Sequence, residues 1–373
     1  LKSRMKKLEK LLRIYLVPAA VLQSVLVGGG YGTGRELVEY FTQYGMLGGF
    51  YGIGVSAIVF FVVILLTYTF AVEFRLFDYK SFLKALVGRY WIAFEMFFLT
   101  LLLLVLAVVG SAAGNILRDS TGIPYELGLT LMLVLVSLLI FVGREPIIRI
   151  LTFWSIILYA VFFVYMVLVF DGNLPSIARS LGDAEVRPGW FVSGINFALY
   201  NLAILPAVLF SIRGLETRRE AFLSATVSAV FCLVPALMLH ASFGAGYPAV
   251  VNQPVPIFWM IQQLGAPAFI VFYMIALFGT FIETGAGFIQ GVIERVDRVK
   301  AVRGRGRGRK YIHVAVCLFL LLASITLSFA GIIELVATGY EAISYGILFT
   351  YVLPLCTVGL WKLSRGKFAG ELR

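Results

Sequence analysis

Ten stretches of mostly apolar residues run through this 373-residue chain, each long enough to cross a bilayer. A spanning helix needs about 20 such residues. The stretches cover 14–44, 48–72, 91–117, 125–142, 147–170, 190–212, 221–244, 266–292, 311–330 and 335–361. Lipid offers no hydrogen bonds, so backbone inside it must pair within the protein, and an apolar run of this length pairs as a helix. The composition agrees: 14% of residues are charged and 60% hydrophobic, against roughly 25% charged in soluble domains. The expected fold class is an all-α polytopic membrane protein, with residues 1–373 forming one transmembrane domain of ten helices.

The basic residues orient the spans. With both termini cytoplasmic, 27 of the 31 Lys and Arg fall in cytoplasmic tails and loops. Arg118, Arg179 and Arg187 fall outside, and Arg35 lies within the first span. That asymmetry is the positive-inside pattern of a cell-membrane protein. It also accounts for the net charge of +11 without nucleic acid. The run Arg303 to Lys310, RGRGRGRK, reads as a flexible loop against anionic lipid headgroups. The cysteines Cys232, Cys317 and Cys356 lie in separate apolar runs with no metal spacing. His240 and His313 have no ligand partner at metal spacing and read as packing or interfacial residues. No Walker motif, catalytic triad or HExxH pattern occurs, so an enzyme is not expected.

Two spans are interrupted. Residues 28–36 read GGGYGTGRE, with Gly28, Gly29, Gly30, Gly32 and Gly34 inside the first apolar stretch. Each glycine costs a helix about 1 kcal/mol relative to Ala. The sixth span carries Asn196, Tyr200, Asn201 and Pro206, and a proline removes one helical hydrogen bond. The spans divide five plus five, into 14–170 and 190–361. An odd number of spans per half requires that the second half be inserted upside down. Interrupted segments at matching positions of two inverted halves mark a binding site near the bilayer midplane.

Ten spans, cytoplasmic termini and interrupted spans one and six resemble the LeuT-fold, or amino acid–polyamine–organocation (APC), superfamily. The run GGGYGTGRELVEYF and the turn Tyr44 to Gly49 are most similar to the YkvI-type membrane proteins of that superfamily. The resemblance implies a secondary transporter working by alternating access, with spans one, two, six and seven rocking as a bundle against a scaffold.

The break supplies candidate ligands. Amides of Gly32 to Gly34 at a half-helix N-terminus would suit a substrate carboxylate, although Glu36 competes for the same positive end. Tyr31, Thr33 and Tyr200 are candidates to line the pocket, with Gly28, Gly29, Gly30, Asn196 and Asn201 around it. On the eighth span Thr280, Glu283 and Thr284 share one helix face, and a carboxylate at mid-membrane is functional by default. By resemblance to sodium-coupled members, carbonyls near Val27 and Gly30 join the Thr280 and Thr284 hydroxyls around Na+. Glu283 joins as a ligand, replaces sodium coupling with a titrating carboxyl group, or is a buried partner for a neighbouring polar helix; Glu36 is a further ion-coupling candidate. By the same resemblance Arg35 and Glu341 form an outer gate pair, while the local alternative pairs Arg35 with Glu39 at i, i+4. The outer loop 244–267 either forms a lid or caps the bundle.

The expected function is ion-coupled symport of a small organic solute, an amino acid among the candidates, driven by Na+ or H+. Its competitors are a channel, an intramembrane lipid enzyme using Glu283 or Glu36, and a transporter-like sensor without coupled flux.

Overall fold

The computed structural model describes residues 12–26, 28–139, 144–182, 186–297 and 306–365. Among them, seven helices are long and apolar enough to cross a bilayer, and one bent pair makes an eighth. Two shorter apolar helices, Ile14–Gln23 and Tyr125–Val136, fall where the first and fourth spans are expected. Ten crossings are consistent with this arrangement, and the described secondary structure is helical throughout.

The first span is three pieces. Helix α1 (Val17–Leu26) stops before Gly28, α2 (Gly29–Thr33) makes little more than one turn, and α3 (Arg35–Tyr40) follows. Gly34 joins the last two at φ +80°. A Cβ there would also lie 2.8 Å from both Ile257 Cγ1 and Phe243 Cζ. Glycine meets both demands, since it adopts positive φ freely and has no side chain. The sixth span breaks differently. Helix α9 (Trp190–Leu202) meets the 3₁₀ helix Leu205–Ile212 at 59°, with Pro206 in the first turn of the second piece. Its missing N–H costs nothing there, because first-turn amides have no helical partner.

Between these lie α4 (Met46–Glu73), α5 (Tyr79–Val87), α6 (Trp91–Thr121), α7 (Tyr125–Leu139) and α8 (Arg144–Gly182). Beyond the sixth span come α10 (Arg218–Phe243), α11 (Pro256–Gln263), α12 (Pro267–Asp297), α13 (Gly306–Ser328) and α14 (Ile332–Arg365). Helix α8 continues well past 170, where its apolar run was expected to end. Hydropathy reports the length that lipid covers, not where helical hydrogen bonding stops.

The helices pack as two groups. Helix α4 lies against α9 and α10, and α10 also covers α1. The other group joins α6 with α7 and α13, and α12 with α8 and α7. Helix α14 touches both, through α9 and α6. The α4–α9 crossing is close because both sides are small: a Cβ on Gly194 would sit 2.4 Å from the Gly52 carbonyl oxygen. The Ser56 hydroxyl donates to the Gly194 carbonyl at 2.6 Å, locking the contact.

Two stretches read as loops are partly helical. Asp78 caps α5 by accepting from the Ser81 amide at 3.0 Å, and Phe82, Leu83 and Leu86 bury one face of that helix. Within 244–267, a 3₁₀ turn (Ala249–Asn252) precedes α11, which Pro256 starts.

Candidate functional site

The two breaks face one another across a buried carboxylate. Glu36, in the first turn of α3, is 5% exposed. It folds back along its own span, so that a Cβ on Gly30 would overlap its Oε1 at 1.9 Å. From the sixth span the Tyr200 hydroxyl donates to Glu36 Oε2 at 2.6 Å. Three aromatic rings continue the contact: Tyr40 and Tyr200 have centroids 5.3 Å apart, and Tyr200 and Tyr340 4.7 Å apart. Buried carboxyl groups are expensive unless paired, so Glu36 is the polar group around which this region is organised.

Beside it lies a cavity of about 50 Å³. Gly28, Gly30, Glu36, Tyr200, Asn201, Thr284 and Tyr340 supply its polar lining, and Phe98, Leu102 and Phe288 much of the rest. Tyr340 is fully buried, and its hydroxyl has no hydrogen-bond partner among the described residues. An unsatisfied buried hydroxyl costs about 1–3 kcal/mol.

The amides expected to bind a substrate carboxylate are closed. The Gly32 amide donates to the Gly28 carbonyl at 2.8 Å, and the Gly34 amide to the Tyr31 carbonyl at 3.0 Å. The short helix α2 uses the very donors that an open break would expose. Thr33 does not line the cavity; its hydroxyl donates to the Gly30 carbonyl at 2.7 Å and accepts from the Arg35 amide at 3.2 Å. Tyr31 is buried away from the cavity, and Gly32 presents its carbonyl to the Tyr273 hydroxyl at 3.0 Å. Gly29 belongs to α2. Asn196 lies against α14 instead, where its carbonyl accepts from the Ser344 hydroxyl at 2.9 Å.

The oxygens expected around an ion are distributed unevenly. Val27 and the side chain of Glu283 lie outside the described residues. Thr280 is turned away from the cavity, its hydroxyl donating to the Ala276 carbonyl at 3.0 Å. Thr284 does line it. A Cβ on Gly28 would lie 3.3 Å from Thr284 Oγ1 and 3.8 Å from the Val25 carbonyl oxygen. Oxygens from the first and eighth spans therefore converge on Gly28, two residues before Gly30, whose carbonyl Thr33 already engages.

Arg35 is 2% exposed and pairs with Glu39 rather than Glu341, Nη2 to Oε2 at 2.6 Å. Its Nη1 donates to the Val251 and Gln253 carbonyls at 2.8 and 3.1 Å. The segment after α10 is thus a lid fastened onto the first span, with Ile257 against Gly34. Glu341 instead faces Asn196 Nδ2 at 3.4 Å. His240 is fully buried, its Nε2 2.9 Å from the Met46 carbonyl and its Nδ1 2.9 Å from Thr42 Oγ1. A carbonyl only accepts, so Nε2 carries the proton and Nδ1 accepts from Thr42.

No protein-family model matches the chain. It is 25% identical over 338 residues to the uncharacterised membrane protein YkvI of Bacillus subtilis (strain 168), covering 88% of this chain and 91% of that one. The fold is similar to that of Mhp1 in an inward-facing conformation, with TM-score 0.55 and 16% identity over 90% of this chain and 76% of Mhp1. It is also similar to a Na+-coupled sialic acid symporter in a substrate-bound outward-open state, with TM-score 0.52 and 13% identity over 94% of this chain and 86% of that one. The chain is an integral membrane protein with the LeuT-type fold, as expected from its ten apolar stretches and two interruptions, and the solved structures it matches are transporters, not enzymes.

Proposed function

We propose that the chain is a sodium-coupled symporter of a small organic solute, working by alternating access between inverted repeats 14–170 and 190–361. The observation that carries this reading is the buried Glu36 carboxyl, held between two interrupted spans by Tyr200 at 2.6 Å beside a cavity. A carboxylate in that position has value to a protein that binds and releases a cation. The coupling Na+ binds at Gly28, where Thr284 Oγ1 and the Val25 carbonyl converge. A Na+-coupled symporter among the structural neighbours supports this choice over H+. In the cell membrane, with both termini cytoplasmic, the Arg35-fastened lid lies on the outer face and the basic loops meet anionic headgroups.

Reconstituted proteoliposomes test the reading. An inward Na+ gradient is expected to drive saturable solute accumulation with counterflow, and Thr284→Ala to abolish the Na+ dependence. Accumulation driven equally well by a proton gradient without Na+ would replace sodium with proton coupling. Non-saturating flux without counterflow would make the protein a channel.

A further inference from the structure

We propose that the solute is a compact primary ammonium cation, bound between Glu36 and Tyr340, and that the site rejects carboxylates. The proposal rests on the transporter reading and names its substrate class.

Charge comes first. Among the described residues lining the cavity, Glu36 is the one ionisable acid or base, a carboxyl that a cation can pair with. A substrate carboxylate entering here would meet Glu36 with no counter-charge. The groups that could have compensated it are committed elsewhere. The Gly32 and Gly34 amides close α2, and Arg35 grips Glu39 and the lid carbonyls. An ammonium group meets the opposite situation, since the cavity already holds its counter-ion.

Tyr340 is an independent observation. Tyr340 lines the same cavity, and its hydroxyl is buried with no hydrogen-bond partner among the described residues. Nothing in the resting packing accounts for keeping a hydroxyl there, because a phenylalanine would fill the space without an unsatisfied polar atom. A phenol oxygen accepts a hydrogen bond from an ammonium N–H. The rings add to this preference. Tyr200 and Tyr340 pack 4.7 Å apart, and Phe98 and Phe288 line the same space. Aromatic faces attract cations and are indifferent or repulsive to anions.

Size agrees. A cavity of about 50 Å³ holds on the order of three to five water-sized groups, enough for a short alkylammonium.

Thermal unfolding of the purified full-length chain tests this, at fixed pH and Na+, with ethylammonium, glycine and propionate as probes. Ethylammonium is expected to stabilise saturably, and propionate not at all. Glycine, which brings a carboxylate with its ammonium, is expected to bind at least tenfold more weakly than ethylammonium. Tyr340→Phe is expected to weaken ethylammonium binding roughly fivefold, the worth of one hydrogen bond, while leaving unliganded stability unchanged or higher. A purely structural Tyr340 would lose stability and keep affinity. Glu36→Gln is expected to remove ethylammonium binding while keeping the sodium response, which shows that the variant is folded. Should Glu36→Gln fail to fold, the wild-type probe ranking and Tyr340→Phe still decide. Propionate or glycine binding as well as ethylammonium, or no ethylammonium binding by a sodium-responsive wild type, overturns the proposal. Ethylammonium binding without flux in proteoliposomes would uphold this substrate class and sink the carrier reading. Sodium-driven flux of another solute, without ethylammonium binding, would do the reverse.

Discussion

Single glycines decide where charge can sit in this protein. Gly30 leaves the volume that the Glu36 carboxylate fills, and Gly34 turns the chain so that α3 presents Glu36 to Tyr200. Replacing Gly34 with Ala combines positive-φ strain, about 1–3 kcal/mol, with overlap against Ile257 and Phe243. A Tm several degrees below wild type is expected for Gly34→Ala, together with loss of sodium-dependent stabilisation. An unchanged Tm would mean that the turn relaxes freely. At this scale the sequence was partly legible. The glycine cluster marks the break, and Glu36 at a positive helix end is visible as a rival to any substrate carboxylate. That the rival occupies the site was not legible, because it depends on Tyr200 from 164 residues away. Tyr340 carried no signal of its own: aromatic residues are common in lipid-exposed spans, and Glu341 beside it drew the attention due to an intramembrane charge.

The elements that matter most are the short ones. Spans of 20 or more apolar residues announce themselves because lipid demands that length, whereas α5 and α11 are nine and eight residues long and sit among polar residues and prolines. Asp78 before Phe82, Leu83 and Leu86 is a capped amphipathic turn, recognisable by the same rule that marks helix starts in soluble proteins. The pairing of Arg35 was decided by an element that the sequence did not place. With 249–253 folded over the first span, two lid carbonyls and Glu39 engage both terminal nitrogens of the guanidinium, and Glu341 is left to Asn196. Arg35→Gln removes charge-assisted hydrogen bonds worth about 1.5–3 kcal/mol each. Amide hydrogen exchange across 249–263 is expected to accelerate in that variant while exchange in α6 and α7 stays constant. Equal protection of the lid in wild type and variant would show that Ile257 and its apolar neighbours hold it unaided.

Across the whole molecule, helices pack as two groups with the cavity between them. Spans one, two, six and seven form one group, and α6, α7, α8, α12 and α13 the other. Gly28 and Glu36 come from the first group, Thr284 and Phe98 from the second. Under the proposed function, a cation bound between them would tie together surfaces that separate when the cavity opens, coupling binding energy to conformation. The second group is also tied within itself, away from the cavity. Arg295 Nε on α12 contacts Glu95 Oε1 on α6 at 2.6 Å, and the Tyr79 hydroxyl of α5 donates to the other carboxylate oxygen. The two-group division was accessible through the resemblance of the sequence to a transporter fold, because helix number and paired interruptions constrain topology. Which of the two threonines lines the cavity was not, because Thr280 and Thr284 are equivalent in spacing and only packing turns the Thr280 hydroxyl back onto its own helix.

The most direct test of a cation site joining the two groups is thermal unfolding of the purified protein in sodium, potassium and choline chloride at equal ionic strength. A ligand that binds only the folded state adds RT ln(1 + [L]/Kd), about 2.7 kcal/mol at 100 times Kd. Saturable stabilisation by sodium alone, lost in Thr284→Ala and kept in Thr280→Ala, is the expected result. Identical unfolding curves in all three salts would contradict the account.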